Sequence, residues 1–248
     1  MKLVLAEPHL LKESVNVISE LVTEVIFKLN KEGIELKAMD PASVAMVIFY
    51  LSKSAFAEYK VEKEEKLALN LEQLKQVLKR AKPNDSLTLE LNNEGNLQLK
   101  LIGDSARTFD IALIDLEETE QKTPSLKFPL SIGMSTNILN DALEDMGVIS
   151  ETVTFLAGKD QLDIKANSNL NSAKVEIKKT SEVNISLKDG NNFQSKYSLE
   201  YLRKMAKASK IFDRVNIFFS NEYPIKLEYS IPDKMQMSFI LAPRIDND

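Results

Sequence analysis

The 248-residue chain contains no cysteine and no tryptophan, a single histidine and only seven glycines. Without cysteine there is no disulfide framework and no thiolate chemistry, a composition that suits a reducing interior. One histidine and no cysteine leave no zinc-type ligand set. The glycines are scattered and form neither G-x-G-x-x-G nor a Walker sequence, so no phosphate-cradling loop is present. No apolar run approaches the ~20 residues needed to cross a bilayer. The longest, Val44–Leu51, is of strand length, and the N-terminus lacks a signal-peptide pattern. Carboxylates are plentiful, among them Asp40, Asp110 and Asp115, but no spacing selects an acid and base pair. Asp40 beside Pro41 reads as a turn residue, and His9 as a surface or capping residue near a helix start. These absences predict a protein that is not an enzyme, with no cofactor, no metal and no membrane partner, working in the cytoplasm (or the nucleus of a eukaryote).

Hydrophobic residues make up 44% and charged residues 28%, ordinary for a soluble globular chain. The length allows one large domain or two, each able to bury its own core. A net charge of −5 argues against a protein that simply coats nucleic acid, but the average conceals segregation.

A single gapless offset of 128 residues relates the two halves. It carries Val25-Ile26-Phe27 onto Val153-Thr154-Phe155, and Gly33–Ala38 onto Gln161–Ala166. It also pairs Leu71-Glu72 with Leu199-Glu200, Asp85 with Asp213, Asn93-Glu94 with Asn221-Glu222, and Leu99 with Leu227. The chain is therefore read as a duplicated domain: residues 1–116, a connector over 117–128, and residues 129–248.

Each copy predicts the same order of elements. A strand (Lys2–Ala6; Leu130–Met134) leads to an amphipathic helix (Pro8–Val22; Thr136–Gly147). Paired strands follow at Glu24–Leu29 with Gly33–Met39, and at Thr152–Ala157 with Gln161–Ala166. A second helix spans Leu71–Lys82 or Leu199–Lys210, with Asn70 and Ser198 as N-caps. Hairpins close each copy, Leu87–Leu91 with Leu97–Leu101 and Val215–Phe219 with Ile225–Tyr229. Strands outnumber helices, so the fold class is α+β, with antiparallel sheets backed by helices.

The positive charge concentrates on the second helix of each copy. Lys75, Lys79 and Lys82 fall within an arc of about 60° on a helix. The offset gives Arg203, Lys207 and Lys210. Residues 73–82 and 201–210 each hold four Lys/Arg and no Asp/Glu, so these segments carry +8 and the rest of the chain −13. An acidic body with two basic helix faces fits a polyanion held there and repelled elsewhere.

Particular strings resemble the proliferating cell nuclear antigen family, archaeal members above all. They are Gly33-Ile34-Glu35-Leu36-Lys37-Ala38-Met39-Asp40-Pro41-Ala42-Ser43-Val44, the segment Leu69–Ala81, Pro224–Tyr229 and Ile240-Leu241-Ala242-Pro243-Arg244-Ile245. The similarity covers essentially the whole chain in order. It implies a ring of three subunits, helices lining the hole and sheets outside, that encircles duplex DNA without reading sequence. By the family pattern Lys75, Lys79, Arg203, Lys207 and Lys210 face the channel, with Lys12, Arg80, Lys82 and Lys204 as weaker candidates.

The resemblance further implies a pocket beside the connector for short partner peptides with aromatic anchors, carried by DNA polymerase, flap nuclease, DNA ligase and the clamp loader. Its residues here are Met39, Val44, Phe128, Pro224, Ala242 and Pro243. Subunit edges lie near Thr108–Leu113 and Ala173–Lys178, with Phe109, Ile111, Val175 and Ile177 at the interface. Two departures stand out. Gln121 and Thr123 replace apolar connector residues, which bears on peptide binding. The helix near Thr136–Met146 has no Lys or Arg but carries Asp141, Glu144 and Asp145, an asymmetry that fits a specialised subunit of a heterotrimer; homotrimer and heterotrimer both stay open. The competing readings are a checkpoint-type clamp subunit and a monomeric enzyme or binding module with a duplicated α+β domain.

Overall fold

The computed structural model describes residues 1–117, 121–188 and 192–245. The chain forms two compact units: residues 1–41, 47–121 and 231–237 in the first, and 42–46, 122–230 and 238–248 in the second.

The first unit contains β1 (Lys2–Leu5), α1 (His9–Ile18), β2 (Glu24–Leu29), β3 (Gly33–Met39), most of β4 (Ala45–Ser52), β5 (Glu58–Lys60), β6 (Glu65–Asn70), α2 (Leu71–Leu78), β7 (Ser86–Leu91), β8 (Leu97–Ile102) and β9 (Ala106–Ile111). Its strands run in the orders β5-β1-β7-β8-β9 and β4-β3-β2-β6, and α1 packs on α2. The second unit contains β10 (Leu130–Ser135), α3 (Thr136–Met146), β11 (Thr152–Ala157), β12 (Gln161–Asn167), β13 (Ser172–Lys178), β14 (Asn184–Leu187), β15 (Phe193–Ser198), α4 (Leu199–Ala206), β16 (Arg214–Phe218), β17 (Ile225–Ile231) and most of β18 (Met235–Leu241). Its orders are β14-β10-β16-β17-β18 and β13-β12-β11-β15, and α3 packs on α4. Strand for strand the two orders are the same, so the sequence offset is a structural duplication. Among the described residues no helix is long and apolar enough to cross a membrane.

Local chemistry explains the elements. In the β2–β3 turn the Asn30 side chain accepts from Glu32 N and Gly33 N at 2.8 and 3.1 Å. Gly33 is demanded by close approach, since a Cβ there would stand 2.3 Å from Leu51 O. Alternating burial along β2 and β11 sends Val25, Phe27 and Leu29, and Val153, Phe155 and Ala157, into the cores. On α2, Leu71, Leu74 and Leu78 form the buried stripe; on α4 it is Leu199, Leu202, Met205 and Ala206.

Several helix ends differ from the sequence expectation. α1 stops at Ile18 rather than Val22, because Glu20 N and Leu21 N turn back to Val17 O and Ile18 O while Leu21 and Val22 bury themselves in the turn. α2 stops at Leu78 rather than Lys82. Arg80 N and Ala81 N bond Val77 O and Leu78 O, and Lys82 N is taken by Asp85 Oδ2 at 2.7 Å. Arg107 Nη1 donates to Arg80 O at 2.9 Å while its Nη2 pairs with Asp85. Pro83 then blocks continuation. α4 stops at Ala206 and tightens into a 3-10 turn over Lys207–Lys210. Asn70 caps α2 through bonds from Glu72 N and Gln73 N, as expected. Ser198 makes no side-chain cap bond, and instead Leu199 N donates to Glu151 O at 2.9 Å.

Two tyrosines buried in the second unit test hydrogen-bond satisfaction. Tyr197 Oη donates to Tyr223 O at 2.7 Å, whereas Tyr229 Oη is buried with no hydrogen-bond partner among the described residues. Losing a made bond costs about 1 kcal/mol, and an unmade buried one itself costs about 1–3 kcal/mol. Tyr197→Phe is therefore expected to lower the urea midpoint, while Tyr229→Phe keeps or raises it; equal losses in both variants would contradict this. In the first unit, the Lys82 backbone N–H and the Arg107 guanidinium hold the Asp85 carboxyl below its ordinary range, against the opposing effect of desolvation. A depressed folded-state value adds stability above the unfolded value of about 4, and that stability disappears as pH falls through the folded value. Asp85→Asn should thus melt lower at neutral pH yet show a flatter acid limb in melting temperature against pH.

Candidate functional site

The basic residues cluster at the ends of α2 and α4. In the first unit Lys79, Arg80 and Lys82 are exposed and Lys12 on α1 is half-exposed. Lys82 lies past the helix, 3.4 Å from Asp104, so the single helical arc drawn from the sequence does not include it. Lys75 is mostly covered, with 18% of its side chain exposed, and stands 3.6 Å from Glu72. Among the described residues Lys12, Lys79 and Arg80 form no ion pair, which leaves their charge available to an external anion.

In the second unit Lys207 and Lys210 are exposed on the 3-10 turn, and Lys210 forms no ion pair among the described residues. Lys204 is held by Glu200 at 2.6 Å and lies over the Tyr201 ring. Arg203 Nη2 contacts Glu144 Oε2 at 2.9 Å and Glu144 O at 3.2 Å. The two copies thus match in sequence but not in how freely their cations face solvent.

Five of the six pocket candidates lie in the second unit. The Phe128 ring packs on Phe218 and edge-on against Tyr223, at centroid distances of 5.8 and 5.7 Å. Pro224 follows Tyr223 and is half-buried, while Val44 remains 36% exposed. Val44 O accepts from Ala242 N at 2.9 Å, and two residues on Arg244 N donates to Lys196 O at 2.7 Å. Neighbouring residues of β15 therefore hold both groups, Lys196 the C-terminal segment and Tyr197 the Tyr223 carbonyl. Met39 lies in the first unit at the end of β3, half-buried, on a groove shared with Ile26, Lys37, Leu116 and Gln121.

Sequence reasoning missed Phe218 and Tyr223. Their signal was available, since Tyr223 directly precedes Pro224 and Phe218 ends a strand, but neither belonged to a repeat pair or a quoted motif. Of the connector, residues 118–120 lie outside the described residues. Thr123 is exposed and Gln121 half-buried on the first unit's groove.

β9 and β13 are the end strands of their sheets. Phe109 and Val175 are half-buried, and Ile111 and Ile177 are buried at 5% and 6% exposure. Phe109 shares a shallow depression with Gln73, Val77 and Arg80 beside α2. An end strand leaves backbone donors and acceptors open to another strand. Among the described residues no group of three His, Cys, Asp or Glu is arranged to hold a metal ion.

Residues 1–121 match the family described as proliferating cell nuclear antigen, N-terminal domain, and residues 122–244 match its C-terminal domain. The DNA polymerase sliding clamp 1 of Thermococcus kodakarensis is 33% identical over 228 residues, 92% of each chain. The DNA polymerase sliding clamp of Pyrococcus horikoshii is likewise 33% identical over 228 residues, 92% of each chain. Among solved structures, PCNA from Thermococcus kodakaraensis superposes with a TM-score of 0.92 at 28% identity, covering 98% of this chain and 99% of that one. A chain of the PCNA2–PCNA3 complex from Sulfolobus tokodaii gives 0.88 at 29%, again over 98% and 99%. Two matched domains in order, relatives aligned over nearly their full length, and the duplicated topology lead to one conclusion: the chain belongs to the proliferating cell nuclear antigen family.

Proposed function

We propose that this chain is a DNA sliding-clamp subunit, one of three clamp chains, identical or sister, that close around duplex DNA and tether replication enzymes to it. Its domains are residues 1–116 and 129–248, joined by a connector over 117–128. The observation that carries this reading is the pair of exposed lysines Lys79 and Lys207, 128 residues apart, at the ends of equivalent helices on an otherwise acidic chain. Lysine contacts to phosphate are sequence-blind and weak enough to allow sliding, while encirclement supplies retention. End strands β9 and β13, one on each unit, suit head-to-tail pairing between subunits, a contact that closes into a ring.

The aromatic group Phe128, Phe218 and Tyr223, with Pro224, Val44 and the Ala242-Pro243 segment, is the docking surface for short peptides bearing aromatic anchors. DNA polymerase, flap nuclease, DNA ligase and the clamp loader are the partners this reading names. Holding an enzyme there raises its effective concentration at the primer end without any chemistry by the clamp itself. That work places the protein on the nucleoid in the cytoplasm.

Reversing charge at Lys79 and Lys207 together should weaken binding to duplex DNA and flatten its logarithmic salt dependence by about 2. Unchanged binding and slope would remove these residues from the channel. Phe128→Ala should weaken an aromatic-anchored peptide by roughly tenfold or more in a titration, as loss of an aromatic anchor contact does. The solution mass should stay the same; undiminished peptide affinity would assign the aromatic group to the core alone.

A further inference from the structure

The two copies end their first helices in different ways, and the difference consumes a cation. In the first unit the Asn16 carbonyl near the end of α1 accepts from Ser19 Oγ at 2.9 Å. The equivalent positions 128 residues later are Glu144 and Gly147, and a glycine has no hydroxyl to donate. The Glu144 carbonyl instead accepts from Arg203 Nη2 at 3.2 Å, across from α4. The same nitrogen meets the Glu144 carboxylate at 2.9 Å.

Gly147 makes this possible. Its φ of −69° and ψ of −14° are ordinary right-handed values that any residue adopts, so its backbone does not require glycine. A Cβ at 147, however, would stand 2.1 Å from Arg203 Nη2 and 2.4 Å from its Cζ. The absent side chain is the space in which the guanidinium lies. Three residues thus change together between the copies: Lys75, Asn16 and Ser19 in the first, Arg203, Glu144 and Gly147 in the second. In the first, the one ion pair of Lys75 among the described residues is with Glu72 of its own helix.

We propose that Glu144 and Gly147 form an internal latch that withholds Arg203 from the DNA phosphate backbone, so the second unit grips duplex through fewer cations than its sequence displays. This rests on the DNA-encircling reading above. Glu144 acts as a positioning residue: it supplies a carboxylate and a helix-end carbonyl in place of a phosphate. A looser grip on one unit keeps the electrostatic hold weak where retention is topological.

The test is the salt dependence of binding by the full chain to a short blunt-ended duplex, read by fluorescence anisotropy. The variants are Glu144→Gln, Gly147→Ser, Arg203→Gln and the two doubles that add Arg203→Gln. Gly147→Ser changes no charge, restores the first copy's residue and displaces the guanidinium. Both latch variants should steepen the logarithmic salt slope by ~0.9, the signature of one added phosphate contact. Arg203→Gln alone should leave the slope unchanged and should abolish the gain in both doubles. A gain from Glu144→Gln that survives in the double, or no gain from Gly147→Ser in a variant that melts like the parent, overturns the latch. The Lys79/Lys207 charge reversal run beside them separates the two ideas. If it weakens binding while the latch variants do nothing, the channel stands and the latch falls; if it too does nothing, both fall.

Discussion

The burial of one apolar stripe on each second helix is the constraint on which the other features depend. Leu71, Leu74 and Leu78 in the first unit, and Leu199, Leu202 and Met205 in the second, are all at most 3% exposed. Fully burying each such side chain is worth about 1.5–3 kcal/mol. That burial fixes the rotation of α2 and α4 about their axes, and with it which residues face solvent. Lys79 and Lys207 face solvent while Leu74 and Leu202, five positions earlier and so about 140° away around a helix, are buried. The basic edge is thus a geometric consequence of the core, and no separate interaction is needed to display it.

Polar chemistry, rather than hydrophobic pattern, closes the ends of α2 in the first unit and α3 in the second. A helix end leaves carbonyls short of partners, and in each unit a distant arginine adds one. Arg107 on β9 reaches Arg80 O, and Arg203 on α4 reaches Glu144 O. In both cases a guanidinium serves as cap and ion-pair donor at once, toward Asp85 or Glu144. Arginine suits this because its planar fork presents several donors in fixed geometry. The cost falls on charge: an arginine that caps a helix is no longer a free surface cation.

The second unit's aromatic residues show a related economy of position. β15 sends Tyr197 inward, where its hydroxyl holds the Tyr223 carbonyl, while the backbone of Lys196 holds Arg244. One strand thereby sets both the turn carrying Tyr223 and Pro224 and the segment carrying Ala242 and Pro243. Phe128 then packs between Phe218 and Tyr223. The result is a partly exposed aromatic and aliphatic group whose two supporting segments are held from one strand.

By itself the amino-acid sequence determined the duplication, the strand limits Glu24–Leu29, Gly33–Met39 and Thr152–Ala157, and the Asn70 cap. All of these are carried by periodicity or by a fixed offset, signals read off the linear order of residues without reference to which ones meet in space. The tertiary structure decided the rest. α2 ends at Leu78 because Arg107, 27 residues beyond Arg80, takes its carbonyl. Arg203 and Lys75 look equivalent at an offset of 128, yet Glu144, 59 residues from Arg203, binds one and among the described residues no such partner crosses to the other. Phe218 and Tyr223 join Phe128 only once β16 and the turn after it are folded. Each of these depends on a partner distant in sequence, and a periodic pattern carries no information about which distant group a charge or a ring will meet.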